Sequence, residues 1–248
     1  MRATPTSRSC SNCPTRCSAE WGCLSESELA LINRAKASRR YAPGEIIYNQ
    51  GDECAGIFCI ESGLVGIRRL DENGNSTLLR LANPGETVGY ESFLTRALYS
   101  NGAEALMASN ICFVDRSVVR GLLQKNPEIC LGFLDHSLHD LAAIEDRYME
   151  SVTSRAKRRL LQLLLSLNDR FGMETDGGEC FIELPISRQD LAGLIGTAPE
   201  TMSRTIHRIQ TEGLAQFDGR TVRIFDIDAL QSEASIALRT IGRPPPRF

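Results

Sequence analysis

The sequence predicts an α+β chain in which an N-terminal antiparallel β-barrel, one long helix and a C-terminal pair of short helices with a β-hairpin follow one another. Three observations predict this order. Short β-rich runs separated by Gly, Asp, Asn and Pro recur from Tyr41 to about Arg116. A one-sided apolar stripe at helical spacing begins at Pro127. Beyond it, helix-start signals are followed by a strand–turn–strand pattern.

The composition is that of a soluble globular protein. The 248 residues are 42% hydrophobic and 24% charged, which excludes a disordered or fibrous chain and suits two domains. A net charge of −3 gives no general attraction for nucleic acid, so any DNA contact must depend on local placement. No apolar run is long enough to span a membrane, and the first residues lack the apolar segment of a signal peptide. We therefore expect a cytoplasmic protein with no membrane partner.

The cysteines are concentrated near the N-terminus. Nine are present, an odd number that argues against a disulfide framework in a reducing cytosol and favours metal, cluster or redox chemistry. The leader, residues 1–23, has neither helical nor strand periodicity and contains Cys10, Cys13, Cys17 and Cys23. Free cysteines elsewhere are usually small buried hydrophobes. This is the role expected of Cys54, Cys59, Cys130 and Cys180.

Residues 24–126 are predicted to form the β-barrel domain. A short helix begins at Leu24 and ends near Arg39 and Arg40. Asn73 and Gly74 mark a hairpin, because Asn-Gly accepts the positive φ that such turns require. The predicted strands are 45–48, 57–60, 64–67, 77–81 and 111–114.

The long helix is predicted over 127–154, after a short one at 117–124. Its apolar side chains recur in steps of three and four, and such a stripe needs a surface to cover it. The stripe either packs on the barrel or forms a homodimer. We favour the homodimer, because a single helix leaving a barrel has more apolar length than the barrel can cover. The side chains expected at that interface include Leu134, Leu138, Leu141 and Tyr148.

Residues 155–241 are predicted to form a winged helix-turn-helix domain. An apolar helix over 156–171 comes first. Ser187 with Asp190 then forms a capping box that opens a short helix, and Gly196 supplies the turn after it.

The second helix of this motif is predicted to run to about Glu212. Thr197 with Glu200 has the spacing of another capping box, which would open this helix. The two strands of the wing are 214–217 and 221–225. The proline-rich tail 242–248 is expected to be disordered.

That second helix has a face suited to the major groove of DNA. Met202, Ile206 and Ile209 have core spacing and are expected to face inward. The outer face then offers a carboxylate that accepts from cytosine N4, a hydroxyl, and a guanidinium that takes guanine O6 and N7 together. These side chains are Glu200, Ser203 and Arg204, with Arg208 placed for a phosphate. The plain alternative is that Glu200 only caps the helix and Arg204 is a solvated charge; the wing and the dimer stripe together favour base reading.

The whole arrangement resembles the Crp/Fnr family of transcription regulators. The resemblance covers essentially the whole chain, and its most specific part is the E-x-x-S-R pattern from Glu200 to Arg204. It implies a cyclic-nucleotide-binding-like sensor barrel, double-stranded DNA as target, RNA polymerase as a partner, and TTGA-type half-sites read by Glu200, Ser203 and Arg204. The glycines of the barrel that match the family are Gly44, Gly51, Gly63 and Gly85.

The signal implied by the resemblance is not a cyclic nucleotide. Cyclic-nucleotide members bind the phosphate through an Arg-Ser pair, whereas Tyr99 precedes Ser100 here. The oxygen-sensing Fnr branch is similar in carrying leader cysteines and a distant one, which together hold a [4Fe-4S] cluster through four thiolates.

The resemblance assigns cluster ligands residue by residue. Cys10 and Cys13 belong to the local set, and Cys112 stands where the family carries its distant ligand. The third local ligand is Cys17 or Cys23, because the first comes earlier, and the second later, than the family's usual position. Four thiolates also suit zinc, and a thiol–disulfide switch between leader cysteines is a further reading.

We therefore expect a homodimeric DNA-binding regulator that responds to oxygen, nitric oxide or redox state, and not an enzyme, because no catalytic constellation is present. The alternative is a regulator of the same fold without a cluster, controlled by zinc, thiol redox or a small ligand, or constitutive. A gapless alignment from Pro127 places Ile144 where oxygen-responsive relatives carry an acidic dimer-helix residue, with Glu145 as the competing position. An apolar residue there implies a dimer that persists without the cluster.

Overall fold

The computed structural model describes residues 9–15, 20–175 and 179–235. Cys17 and the tail 242–248, both subjects of predictions, lie outside these ranges. The chain divides into two compact units, Met1–Ala143 and Ile144–Phe248, and the predicted α+β class is confirmed. In the described residues, no helix has the length and apolar content needed to cross a bilayer.

The first unit begins with short helical turns that lead into the barrel. Cys10–Asn12 and Glu20–Cys23 are single turns of 3₁₀ helix, and α1 is Glu26–Ala35, opened by a capping box at Ser25. The prediction that this helix continues to Arg39 and Arg40 is wrong. The chain becomes extended after Ala35 because the next residues pair with another strand of the barrel.

The barrel consists of two four-stranded antiparallel sheets, of strand order β1-β8-β3-β6 and β2-β7-β4-β5. The strands are β1 Ala37–Tyr41, β2 Ile46–Tyr48, β3 Gly56–Ser62, β4 Val65–Leu70, β5 Ser76–Ala82, β6 Thr87–Val88, β7 Gly102–Ala105 and β8 Ser109–Asp115. The five predicted strands are confirmed. The strands β1, β6 and β7 and the helix α2, Tyr90–Thr95, were not predicted, because they are short or polar and lack a clear alternation.

Aromatic side chains fill the space between the two sheets. Tyr48 stacks on Tyr99 with ring centroids 4.2 Å apart and on Phe58 at 5.1 Å, and Phe58 contacts Phe113 at 5.0 Å. Because successive side chains of a strand point to opposite faces, the residue after Phe58 faces the outer side of its sheet. That outer side is where α1 and the leader pack.

Two helices complete the first unit, and both predicted positions are confirmed. They are α3, Arg116–Lys125, and α4, Pro127–Thr153, the second of which continues into the second unit. Near its start, α4 buries Ile129 and Phe133. Gly132 allows close approach of the leader, since a Cβ there would lie only 3.2 Å from Cβ of Glu20.

The second unit is a winged helix-turn-helix, as predicted. Its elements are α5 Ala156–Phe171, β9 Gly172–Glu174, β10 Cys180–Glu183, α6 Arg188–Leu194, α7 Pro199–Thr211, β11 Ala215–Asp218, β12 Thr221–Ile224 and α8 Ile227–Ser235. The wing hairpin β11–β12 joins an antiparallel sheet of order β11-β12-β10-β9. The strands β9 and β10 and the helix α8 were not predicted.

The turn between α6 and α7 differs in one respect from the prediction. The Ser187–Asp190 capping box is confirmed, and Gly196 adopts a φ of +62°, which favours glycine. The second capping box is wrong: Ala198 is the N-cap of α7 and supplies no side-chain bond. Pro199 sets this start, because proline fits the first helical position and has no N–H to be capped.

Candidate functional site

A small cavity lies within the first unit, between the leader, α1 and the outer face of the β1-β8-β3-β6 sheet. Its volume is about 60 Å³, several times the space that one water molecule needs. Among the residues that the structure describes, four cysteines line it: Cys10, Cys13, Cys59 and Cys112. The remaining wall is mostly apolar and includes Trp21, Leu24, Leu29, Ile32 and Val114.

The leader presents two of these thiols from one short turn. The N–H of Cys10 donates to Oδ1 of Asn33 in α1 at 3.1 Å, which ties the turn to that helix. The N–H of Cys13 donates back to the carbonyl of Cys10 at 3.3 Å. The thiol of Cys13 lies 3.4 Å from Oγ1 of Thr15. The two-residue spacing therefore brings both thiols to the same cavity.

The barrel presents the other two from neighbouring strands. Cys59 of β3 and Cys112 of β8 are directly opposed, and opposed residues share one face of a sheet. The Sγ of Cys112 lies 3.3 Å from Oγ of Ser38, and the Sγ of Cys59 lies 3.9 Å from Oγ1 of Thr87. Burial raises the pKa of both thiols. The negative charge of a thiolate at Cys112 raises the pKa of Cys59 further, and a thiolate at Cys10 raises the pKa of Cys112. The three thiols therefore interact electrostatically.

Of the two other leader cysteines, Cys23 lies in the described residues and does not line the cavity. Cys23 is exposed, and its thiol donates to the carbonyl of Glu20 at 3.4 Å. Burial, together with the carboxylates of Glu128 and Glu28, raises the pKa of Cys23. Cys17 lies outside the described residues. Among the residues that are described, no three His, Cys, Asp or Glu side chains converge on a point that could hold a single metal ion.

The leader also contacts α4 through a buried polar network. The hydroxyl of Thr87 accepts from Nε1 of Trp21 at 3.1 Å and donates to Oε2 of Glu20 at 2.8 Å. The other oxygen of Glu20 pairs with Nδ1 of His136. Trp21 packs edge-on against Phe133, with ring centroids 5.7 Å apart. One turn of the leader therefore contacts the cavity, the barrel and the first half of α4.

His136 is surrounded by carboxylates. Burial alone would lower its pKa, but the hydrogen bond to Glu20 and the charges of Glu20, Asp140 and Glu86 raise it above its usual value. Asp140 lies on the same helix, 3.8 Å from Nε2 of His136, and also pairs with Arg80 at 3.6 Å. The protonated imidazole is thus the form that this network favours.

The outer face of α7 carries the four side chains predicted to contact DNA. Met202, Ile206 and Ile209 are buried, as their spacing predicted, and the opposite face is exposed. That exposed face includes Glu200, Ser203, Arg204 and Arg208.

These four side chains differ in the hydrogen bonds and ion pairs that they make with neighbouring groups. Ser203 donates to the carbonyl of Pro199 at 3.1 Å, and Arg208 pairs with Glu212 at 2.7 Å. Arg204 lies 3.4 Å from the Thr201 hydroxyl. Within the described residues, neither Arg204 nor Glu200 has an ion-pair partner. Both are therefore available to a ligand, and Glu200 is not the cap that its position had suggested.

The middle and end of α4 expose a continuous apolar stripe. The side chains predicted at a dimer interface are all between 51% and 67% exposed: Leu134, Leu138, Leu141, Ile144 and Tyr148. Leu131, Met149 and Val152 extend the stripe at both ends. Exposed apolar surface of this length is typical of a protein interface.

Comparison with known proteins connects these parts. A cyclic nucleotide-binding domain model matches residues 38–126, and a Crp-like helix-turn-helix domain model matches residues 158–233. The transcriptional activator FnrA of Stutzerimonas stutzeri is 27% identical, over 79% of this chain and 80% of its own. The regulatory protein HlyX of Actinobacillus pleuropneumoniae is 26% identical, over 84% and 86%. A Crp/Fnr family regulator structure from Thermus thermophilus matches with a TM-score of 0.67 at 23% identity, covering 80% of this chain and 98% of its own. The chain belongs to the Crp/Fnr family.

Membership confirms the resemblance in the sequence and gives the two matched regions their general roles. The helix-turn-helix match extends from within α5 to α8, so this Crp/Fnr protein is a DNA-binding transcription regulator. Regulators of the family bind DNA and act as dimers. The cyclic nucleotide-binding match covers the barrel and α3, which include Cys59 and Cys112.

The charged pair between the leader and α4 gives a prediction for pH dependence. His136→Gln should lower the free energy of unfolding of the first unit by about 1 to 3 kcal/mol near pH 6, since it removes a hydrogen bond between charged groups. A raised pKa in the folded state means that this stabilisation is complete below the unfolded pKa of about 6.5 and is lost as the pH rises through the folded pKa. The difference between the two proteins should therefore shrink toward alkaline pH.

Urea unfolding measures this difference, because Trp21 is the sole tryptophan and lies beside the network. His139→Gln is the matched control, since His139 is on the same helix but its side chain is 76% exposed. Parallel pH profiles of His136→Gln and the unmodified protein would contradict the prediction.

Proposed function

We propose that this regulator acts as a homodimer that responds to oxygen or redox state through a [4Fe-4S] cluster and reads TTGA-type half-sites in double-stranded DNA. The observation that carries the proposal is the cavity, because thiols of the leader, Cys10 and Cys13, and a thiol of the barrel, Cys112, line one space. A relative that carries the Fnr name, FnrA of Stutzerimonas stutzeri, supports the same reading.

The thiols that line the cavity suit a [4Fe-4S] cluster. Each thiolate of a four-iron cluster binds a different iron, so the thiols need to line a cavity and not to converge on one point. Burial raises the pKa of Cys112, and the positive charge of Lys36, which lines the same cavity, offsets part of that rise. When bound, the cluster supplies iron–sulfur bonds that oxygen or nitric oxide can break. In the family pattern, the local set is completed by Cys17 or Cys23.

The residues of the chain itself connect the cavity to α4. Ligands from both the leader and β8 would fasten the leader to the barrel. Glu20 and Trp21, in the next turn of the leader, contact His136 and Phe133 of α4. A leader released from the barrel would lose these contacts. The position of α4 therefore depends on whether the leader is bound to the barrel.

The exposed stripe of α4 is the proposed dimer interface, and α7 is the proposed base-reading helix. Glu200, Ser203 and Arg204 would contact base edges and Arg208 a phosphate. The pair between Arg208 and Glu212 is exposed and costs little to rearrange, since surface ion pairs contribute about 0 to 1 kcal/mol. RNA polymerase is proposed as a further partner from the family resemblance.

The cluster assignment predicts which thiols are essential. In protein purified without oxygen, replacing Cys10, Cys13 or Cys112 by Ser should abolish iron and acid-labile sulfide, because each removes a ligand. Cys54→Ser and Cys180→Ser are the controls, since both cysteines are buried and neither lines the cavity. Equal iron and sulfide contents in all five variants would contradict the assignment. Zinc without acid-labile sulfide in the unmodified protein would favour the zinc alternative.

Base reading predicts different behaviour for two arginines of α7. Arg204→Ala should cost about 1 to 3 kcal/mol on a TTGA-type site and relax the preference for guanine, because a bidentate contact is lost. Arg208→Ala should weaken binding to all sequences alike and reduce the salt slope by about one. Titration of labelled duplexes at several salt concentrations measures both. Unchanged discrimination in Arg204→Ala would show that Arg204 does not read a base.

The stripe predicts that the protein stays dimeric after its cluster is lost. Burying Ile144 against its copy would contribute about 1.5 to 3 kcal/mol per side chain, so Ile144→Asp should dissociate the apo-dimer. His139→Asp, which places the same charge outside the stripe, should leave the dimer intact. Sedimentation of the apo-protein is the measurement. An apo-monomer that becomes a dimer on Glu145→Ala would instead make Glu145 the repulsive residue.

A further inference from the structure

The pairing of β3 with β8 brings a second barrel cysteine to the cavity. In the observed register Ile57 is opposite Val114, Cys59 is opposite Cys112 and Ile60 is opposite Ile111. Directly opposed residues have Cβ atoms about 4.5 to 5.5 Å apart and point to the same face. A group that reaches the thiol of Cys112 therefore comes within reach of the thiol of Cys59 as well.

The surroundings of Cys59 differ from those of an ordinary buried cysteine in the same barrel. Cys54 also is buried, but its thiol donates to the carbonyl of Gly56 at 3.4 Å and does not reach the cavity. The thiol of Cys59 lines the cavity together with those of Cys10, Cys13 and Cys112, and its Sγ lies 3.9 Å from Oγ1 of Thr87. Trp21 and the apolar residues of α1 line the same space.

The exposed leader cysteine is a weaker candidate for the remaining ligand. Cys23 is exposed, does not line the cavity, and already donates its thiol hydrogen to a backbone carbonyl. Of the four thiols that line the cavity in the described part of the chain, Cys59 is the one to which the family pattern gives no role.

We propose that Cys59 is a ligand of the cluster, so that the site consists of two leader thiolates, Cys10 and Cys13, and two cross-strand thiolates, Cys59 and Cys112. The inference rests on the proposed function, since it names the fourth thiolate of the same site. It differs from the family pattern in drawing the ligands equally from the leader and the barrel.

The decisive comparison is between two sets of variants purified without oxygen. Cys59→Ser should lose iron and acid-labile sulfide to the level of Cys112→Ser, with loss of the visible absorption of the cluster. The double variant C17S/C23S should retain both at the level of the unmodified protein. Cys54→Ser is the matched control, because it makes the same change at a buried barrel cysteine outside the cavity.

A second substitution separates ligand loss from misfolding. Cys59→Ala places a small apolar side chain in this mostly buried position, and circular dichroism with Trp21 fluorescence reports whether each variant folds. Folded Cys59→Ala without iron supports the proposal. Retention of iron by either Cys59 variant, or loss of iron from C17S/C23S, overturns it.

Iron and sulfide contents distinguish failure of the Cys59 assignment from failure of the proposed function. If Cys10, Cys13 and Cys112 are essential for iron while Cys59 is not, the proposed function stands and the new ligand falls. If the unmodified protein, purified without oxygen, holds neither iron nor sulfide, both are wrong.

Discussion

The register between β3 and β8 is the constraint on which the cysteine site depends. A slip of one residue would turn Cys59 or Cys112 to the opposite face of the sheet, away from the leader. The register is held from inside the barrel, where Phe58 and Phe113 are opposed and their rings contact each other, and Phe58 also stacks on Tyr48. Aromatic packing between the sheets therefore decides which side chains the outer face offers to the leader.

Glu20 extends this constraint from the barrel to α4. Its side chain is only 4% exposed, and a buried charge is costly unless it is paired and hydrogen-bonded. Both of its oxygens are occupied, one by the hydroxyl of Thr87 and the other by His136. Thr87 is in turn opposite Cys59 in the β3–β6 pairing. A chain of direct contacts thus runs from the thiols through one buried carboxylate to the helix that exposes the apolar stripe.

Local patterns predicted most of the fold, and non-local pairing explains what they missed. Helical periodicity predicted α4, α5 and α7, and turn residues predicted the wing, because these signals lie within one segment of sequence. The strand β1 reads Ala-Ser-Arg-Arg-Tyr with only Tyr41 buried, so it has no signal apart from its pairing with β8. The same limit applies to Cys59, whose position beside Cys112 depends on two strands far apart in sequence. The second capping box failed for a local reason, since Pro199 moves the start of α7 to Ala198.

In the second unit, a buried guanidinium connects the end of α4 to the helix-turn-helix. Arg159 donates to the carbonyls of Glu150 and Ser151, at the end of α4, at 3.2 and 3.4 Å. It also donates to the carbonyls of Ile195 and Gly196, in the turn before α7, at 2.7 and 3.4 Å. The positive charge complements the partial negative charge that unpaired carbonyls give to a helix C-terminus. Within the second unit, the turn before the recognition helix is therefore fixed to the end of α4. In a dimer formed through α4, the pairing of these helices would therefore set the spacing of the two recognition helices, which must match half-sites about one turn of DNA apart.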